Sequence, residues 1–245
     1  MLSLKLRLHR ARYEVRTLLA DHPSLYLPLA RLKSRPPATQ TVEADTDILI
    51  EGWPRSGNTF AEQAFRLAQH RPLNVAHHFH APAQVIAAVR KGLPALIVVR
   101  NAADSICSFL IRDSALSPEQ VLRSWIRYHE KILPYRHGYV TATFEQVTSD
   151  FGRVVERINK RFDTDFSVFR HTPENVEKCF SIIEENNKVR FGGGRILESG
   201  ISRPSTARAP QKSVVREKLE TVQLQPLLLR ADEIHAQFRA CAHDD

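Results

Sequence analysis

The chain has 245 residues, 42% of them hydrophobic and 25% charged, which suits a globular domain with a sizeable core. Its three cysteines, Cys107, Cys179 and Cys241, are scattered without a Cys-x-x-Cys pair, so neither a disulfide framework nor a zinc site is expected, and a reducing, cytoplasmic setting is. No stretch approaches the roughly 18 continuous apolar residues of a membrane span, and the formal charge of +8 is spread unevenly.

Residues 1–35 hold eight cations (Lys5, Arg7, Arg10, Arg12, Arg16, Arg31, Lys33 and Arg35) against Glu14 and Asp21, a balance of +6. Leu2, Leu4, Leu6 and Leu8 alternate with polar residues, without the continuous apolar core of a secretory leader. Residues 1–40 read as a basic N-terminal segment, an arm or a helix packed on the body. Such a segment also suits peripheral contact with an acidic membrane surface. Pro36 and Pro37 mark a linker, and residues 41–245 read as a single domain.

Within that domain Ile48, Leu49 and Ile50 form a short buried strand. Gly52 and Pro54 break it, and from Asn58 a helical pattern places Phe60, Ala64, Phe65 and Leu67 on one side. His77, His78 and His80 follow in a segment taken as extended, which would turn His78 and His80 to one side. Pro82 opens a helix that Gly92 ends, and Leu93 to Val99 is a second buried strand. Ala103, Ile106, Cys107, Leu110 and Ile111 have helical spacing. Ser117-Pro-Glu-Gln is a capping box whose helix carries Trp125 and His129 on its apolar face, His129 being read as a packed histidine. Gly138 to Phe144 is a third strand, and Asp150 starts another helix. From about residue 170 the pattern weakens. Residues 188–216 hold seven cations against Glu198, again +6, and 186–213 with Gly192 to Gly194 read as a basic loop. A last amphipathic helix covers Val214 to Phe238, interrupted at Pro226. Alternating strands and helices predict an α/β, three-layer, P-loop-like fold with a central, mostly parallel sheet flanked by helices, and ligands at the carboxyl ends of the strands.

Two of those ends carry a phosphate-binding pattern. A strand, a Gly-bounded loop and a helix N-terminus aim backbone amides and a helix dipole at one spot. Gly52, four residues, Gly57 and then Thr59 follow the nucleotide-binding P-loop spacing, except that Asn58 stands where its lysine would be and the cation is Arg55. Pro-Arg-Ser-Gly-Asn-Thr-Phe, residues 54–60, resembles the 5′-phosphosulfate loop of sulfotransferases that use 3′-phosphoadenosine 5′-phosphosulfate (PAPS). Arg100 and Ser108, eight residues apart after the second strand, resemble that family's 3′-phosphate motif. Thr143-Phe-Glu-Gln-Val resembles a further segment, Phe144 taking the aromatic place near the adenine. The resemblance covers residues 47–165.

It implies a bacterial-type sulfotransferase domain that passes the sulfuryl group of PAPS to a hydroxyl or amine of a small-molecule, lipid or carbohydrate acceptor, with PAPS as co-substrate. Cofactor contacts are then expected from Arg55, Ser56, Gly57, Asn58, Thr59, Phe60, Arg100, Ser108 and Phe144, and from Arg203 in place of the family's C-terminal motif, with Arg208 and Lys212 behind it. His80, in His-Ala-Pro, is the expected base, with His78 in reserve and Arg55 assisting transfer. No metal is expected, because no further ligand at metal spacing completes the histidine group. No nucleic-acid motif accompanies the basic segments, so nucleic acid is not an expected partner. A degenerate P-loop kinase or NTPase and a non-enzymatic polyanion-binding protein are the alternative readings.

Overall fold

The computed structural model describes residues 3–35, 39–190 and 208–244. Helices α1 (Leu4–Leu19) and α2 (Pro23–Arg31) precede strand β1 (Ile48–Glu51). Helix α3 (Asn58–Ala68), strand β2 (Val75–His77), helix α4 (Pro82–Arg90), strand β3 (Ala95–Val99) and helices α5 (Ala102–Arg112) and α6 (Pro118–Ile132) follow. After strand β4 (Val140–Thr143) come α7 (Phe144–Ser149), α8 (Phe151–Phe162), α9 (Pro173–Arg190), α10 (Ala209–Leu219) and α11 (Gln225–Asp244).

The strands form one sheet in the order β2-β1-β3-β4, all neighbours parallel. Side-chain alternation divides them between two cores. Leu49, Ala95, Ile97 and Val99 point into one, with Trp125, Ile106 and Phe238 from the helices. Ile48, Ile50, Leu96, Val98, Val140 and Ala142 point into the other, with Phe60, Phe65 and Phe151. The expected helix-sheet-helix layering therefore holds, and continuous burial on both faces explains why the strands read as unbroken apolar runs. Ala20, which caps the end of α1, and Tyr26, Leu27 and Ala30 of α2 join the first core.

The chain passes from β1 outward to β2 and then returns to β3 on the other side of β1. The carboxyl ends of β1 and β3 thus flank a topological switch point, where an open parallel sheet leaves a crevice. Strand β2 was not expected. It has only three residues, at the sheet edge, paired through Ile48↔Val75, Leu49↔Ala76 and Ile50↔His77. Helix α9 also runs through what reads as a weak pattern and the start of a basic loop.

His129 is fully buried, its Nδ1 donating to the Trp125 carbonyl at 2.8 Å and its ring stacked 3.8 Å from that of Trp125. Burial pushes its pKa down to about 3 from an ordinary 6.5. The folded protein then keeps this ring neutral where the unfolded chain takes up a proton, so stability falls as pH drops below 6.5. At pH 5 the loss is about 2 kcal/mol from this residue. Denaturant unfolding of wild type and His129→Phe at pH 7 and pH 5 measures it. The wild type should lose about that much more between the two values, and equal losses would contradict the assignment.

Candidate functional site

The site begins where β1 runs out. Gly52 follows the strand so closely beneath β3 that a Cβ on it would lie 2.2 Å from the Val98 carbonyl oxygen, which is why the loop starts on glycine. Arg55 holds a left-handed backbone at φ 70°, unusual for a residue with a side chain. Gly57, at φ 101°, is the N-cap of α3 and supplies no side-chain cap. The first-turn amides of α3, on Asn58, Thr59 and Phe60, lack intrahelical acceptors by helix geometry and face the positive end of the dipole.

Asn58 takes a role other than the expected one. Its amide donates to the carbonyls of Gly52 and Trp53, each at 3.1 Å, and the side chain is buried. It ties the loop's two ends together rather than presenting donors to a ligand, because those inward carbonyls need partners. The ring of Phe60 likewise belongs to the core, against Phe169 and Phe180, which leaves its backbone amide to the site. The Ser56 hydroxyl is buried within the loop and finds no hydrogen-bond partner among the described residues.

The cations come from three separate parts of the chain. Arg55 Nε donates to Ser108 Oγ on α5 at 2.9 Å. Arg100, at the end of β3, donates from Nη1 to the Arg55 carbonyl at 3.1 Å, and its guanidinium lies 4.1 Å over the Phe144 ring. Phe144 also packs on Gly57, where an added Cβ would come within 3.1 Å of the ring. The aromatic residue therefore serves as a platform for Arg100 and the loop. Burial, then the charges of Arg112, Arg208 and Arg100, push the Arg55 pKa down to about 10. Burial also lowers Arg100, with Arg208 adding to it and Asp104 and Glu145 opposing it. Lys212 on α10 is lowered by burial and by Arg100. Cations that depress one another in this way mark a place suited to a multiply charged anion. Arg208 and Lys212, from the C-terminal part, thus stand near the cations of the loop and of β3. Arg203 lies outside the described residues. Arg112 was missed, since a cation in the last turn of a helix reads as an ordinary cap.

The histidines are held by a residue that sequence reasoning passed over. Glu51, the last residue of β1, is fully buried. Its carboxylate accepts from the Phe79 amide at 2.8 Å and the His80 amide at 3.1 Å. His78 and His80 both adopt left-handed backbones, at φ 63° and 50°, so the segment is not extended as expected. His80 Nδ1 is 2.8 Å from the Gly52 carbonyl and 3.4 Å from Glu51 Oε2. Both are acceptors and lie closer than or as close as the Asn58 amide at 3.4 Å, an arrangement that favours the tautomer with the proton on Nδ1 and the lone pair on Nε2. His78 Nε2 contacts Thr59 Oγ1 at 3.0 Å, and its Nδ1 meets His77 Nδ1. A charged residue ending a strand just before a glycine loop was the available signal for Glu51.

Glu62, His77 and His78 approach one another within 4.8 Å. The sequence offered no carboxylate to complete the histidine group, whereas the fold brings Glu62 beside it; Glu62 is also ion-paired with Arg66, and His78 Nε2 contacts Thr59 Oγ1.

Beside the histidines lies a cavity of about 390 Å³. Trp53, Pro54, His78 and His80 line it from the loop side, and Tyr13, Arg16 and Thr17 of α1 from the other. Two buried polar groups belong to its lining, Asp21 and Tyr128. Asp21 Oδ2 accepts from Arg127 Nε at 2.6 Å, whereas Asp21 Oδ1 and the Tyr128 hydroxyl have no partner among the described residues. Burial, then Glu51 and Tyr139, hold the Tyr128 phenol well above its ordinary pKa, so it stays a proton donor.

No protein-family model and no curated protein matches the chain. Among solved structures similar to it is the crystal structure of mouse sulfotransferase SULT7A1 complexed with PAP, at 15% identity over 83% of this chain and 91% of that chain, with a TM-score of 0.45.

The anion site can be tested without knowing its natural ligand. Inorganic sulfate or phosphate should raise the thermal midpoint of the wild type. Arg100→Ala should weaken that binding by about 1.5–3 kcal/mol, roughly 10- to 100-fold in affinity. An identical rise in both proteins would rule out Arg100 as an anion contact.

Proposed function

We propose that the protein transfers a sulfuryl group from PAPS to a hydroxyl or amine of an acceptor bound in the cavity lined by α1. The single observation that carries this reading is the junction of two dissimilar halves: the Arg55–Ser108–Arg100 cradle, built for a multiply charged anion, and His80, oriented with a lone pair beside an acceptor-sized cavity.

The residues fit the co-substrate's chemistry. Arg100, with Ser108 and Lys212 near it, suits a 3′-phosphate, for which a forked guanidinium is the favoured donor. Arg55, the α3 first-turn amides and the buried Ser56 hydroxyl suit the phosphosulfate end. PAPS supplies an activated sulfuryl group whose bond to the 5′-phosphate oxygen breaks as the acceptor oxygen or nitrogen bonds to sulfur. His80 Nε2 takes the acceptor's proton in that step. Arg55 and the loop amides stabilise the charge that grows on the leaving phosphate, an electrostatic task like that of phosphoryl transfer.

Glu51 is a positioning residue: it fixes the left-handed histidine loop and stabilises the imidazolium that forms. Tyr13, Trp53 and Phe109 give the cavity apolar walls, and Arg16, Asp113 and Arg127 give it charged ones.

Replacing His80 by Ala should lower kcat by about 10²–10⁴-fold and leave the affinity for adenosine 3′,5′-bisphosphate almost unchanged. Glu51→Gln should lower kcat less, because the Phe79 and His80 amides keep one acceptor oxygen. If His80→Ala keeps full turnover while His78→Ala is dead, the base is His78. If both turn over normally, proton abstraction by this histidine loop is wrong.

A further inference from the structure

Helix α1 presents apolar side chains on the wrong side for a helix that only packs on a body. Its packed face is fixed by contacts: Arg10 Nε donates to the Ala115 carbonyl at 2.8 Å, His9 pairs with Asp113 at 3.0 Å, and the Tyr13 ring lies 6.2 Å from that of Phe109. Leu4, Leu8, Val15 and Leu18 recur at helical spacing on the opposite face, between 46% and 73% exposed. No residue of α1 is fully buried, and of its leucines Leu6 and Leu19 are half-buried, Leu19 against the core, whereas Leu4, Leu8 and Leu18 are left exposed. The next helix repeats the arrangement. Tyr26, Leu27 and Ala30 of α2 are buried, while Leu25, Leu29 and the following Leu32 are 51–84% exposed.

Seven of the eleven large apolar side chains that stand exposed among the described residues are in these two helices and their cap. Isolated exposed leucines need no explanation, but a concentrated stripe does. Cations border it. Lys5, Arg7 and Arg12 sit at the flanks of the α1 stripe, exposed, and none of them pairs with an acid among the described residues.

We infer that the outer face of α1 and α2 docks in the plane of an anionic phospholipid surface. The leucine stripe would enter the boundary between headgroups and acyl chains, and the flanking lysine and arginines would reach headgroup phosphates. Charge selects this occupant over a second copy of the chain, since facing copies would bring two +6 segments together. The helices lie on the surface rather than span it, because no helix among the described residues is long and apolar enough to cross a membrane. The inference is independent of the transfer chemistry.

The test is co-sedimentation of the full chain with vesicles of phosphatidylcholine alone and of phosphatidylcholine mixed with phosphatidylserine, at low and high salt. Partitioning should be at least about tenfold stronger on the mixed vesicles and weaken with salt. The double variant Leu8→Ser/Val15→Ser, checked for an unchanged thermal midpoint, should lose on the order of tenfold or more in binding. A second variant, Lys5→Glu/Arg12→Glu, should lose the preference for phosphatidylserine. No partitioning onto mixed vesicles, or equal partitioning by the serine variant, overturns the inference. So does a wild-type dimer in sedimentation equilibrium that the serine variant abolishes, which would assign the stripe to a second copy.

Discussion

Burying one arginine among others raises the free energy of the folded chain, and Arg55 is held in that situation. Its side chain is fixed by Ser108, its carbonyl by Arg100, and its charge is opposed by those of Arg112, Arg208 and Arg100. The backbone at Arg55 is left-handed as well, a conformation that costs about 1–2 kcal/mol for a residue with a Cβ. Much of the surrounding architecture follows from holding that one side chain. Gly52 lets the loop pass under Val98, Asn58 ties its ends together, and Phe144 supports Arg100 beneath it. Such a site is organised before any anion arrives, so binding energy need not be spent on ordering it.

Glu51 joins this half of the site to the other. It is the last residue of the strand that leads into the arginine loop, and it is also the acceptor that holds Phe79 and His80. A single strand end thus sets the distance between the cation cradle and the imidazole. Three left-handed residues other than glycine belong to the two loops it links: Arg55 in the loop that follows it, and His78 and His80 in the loop that it holds. Strain gathered at one place in a fold of ordinary geometry is what a functional site requires, and the cores on both faces of the sheet can sustain it.

The layered fold was legible because buried parallel strands give unbroken apolar runs and the helices between them carry clear caps, as Ser117 and Gln120 do. Strand β2 was not, since three residues at an edge become a strand only through pairing with β1. That Arg55, Arg100 and Ser108 would meet was legible because each lies at a fixed offset from a strand end. The contributions of Arg112 and Glu51 depend on which elements meet in space, and spacing along the chain does not encode that. Asn58 was assigned to the ligand by its place in the loop, whereas its amide is spent on the carbonyls of Gly52 and Trp53. The cavity wall supplied by α1 was hidden for a similar reason: Tyr13, Arg16 and Thr17 lie far from the histidines in sequence.

The account stands on the claim that the arginine cradle reads two phosphate positions of one nucleotide, and calorimetry with adenosine 3′,5′-bisphosphate and with 5′-AMP tests that claim most directly. If Arg100 and Ser108 receive a 3′-phosphate, the bisphosphate binds tighter by about 1.5–3 kcal/mol, roughly 10- to 100-fold. Equal affinities for the two nucleotides would contradict it.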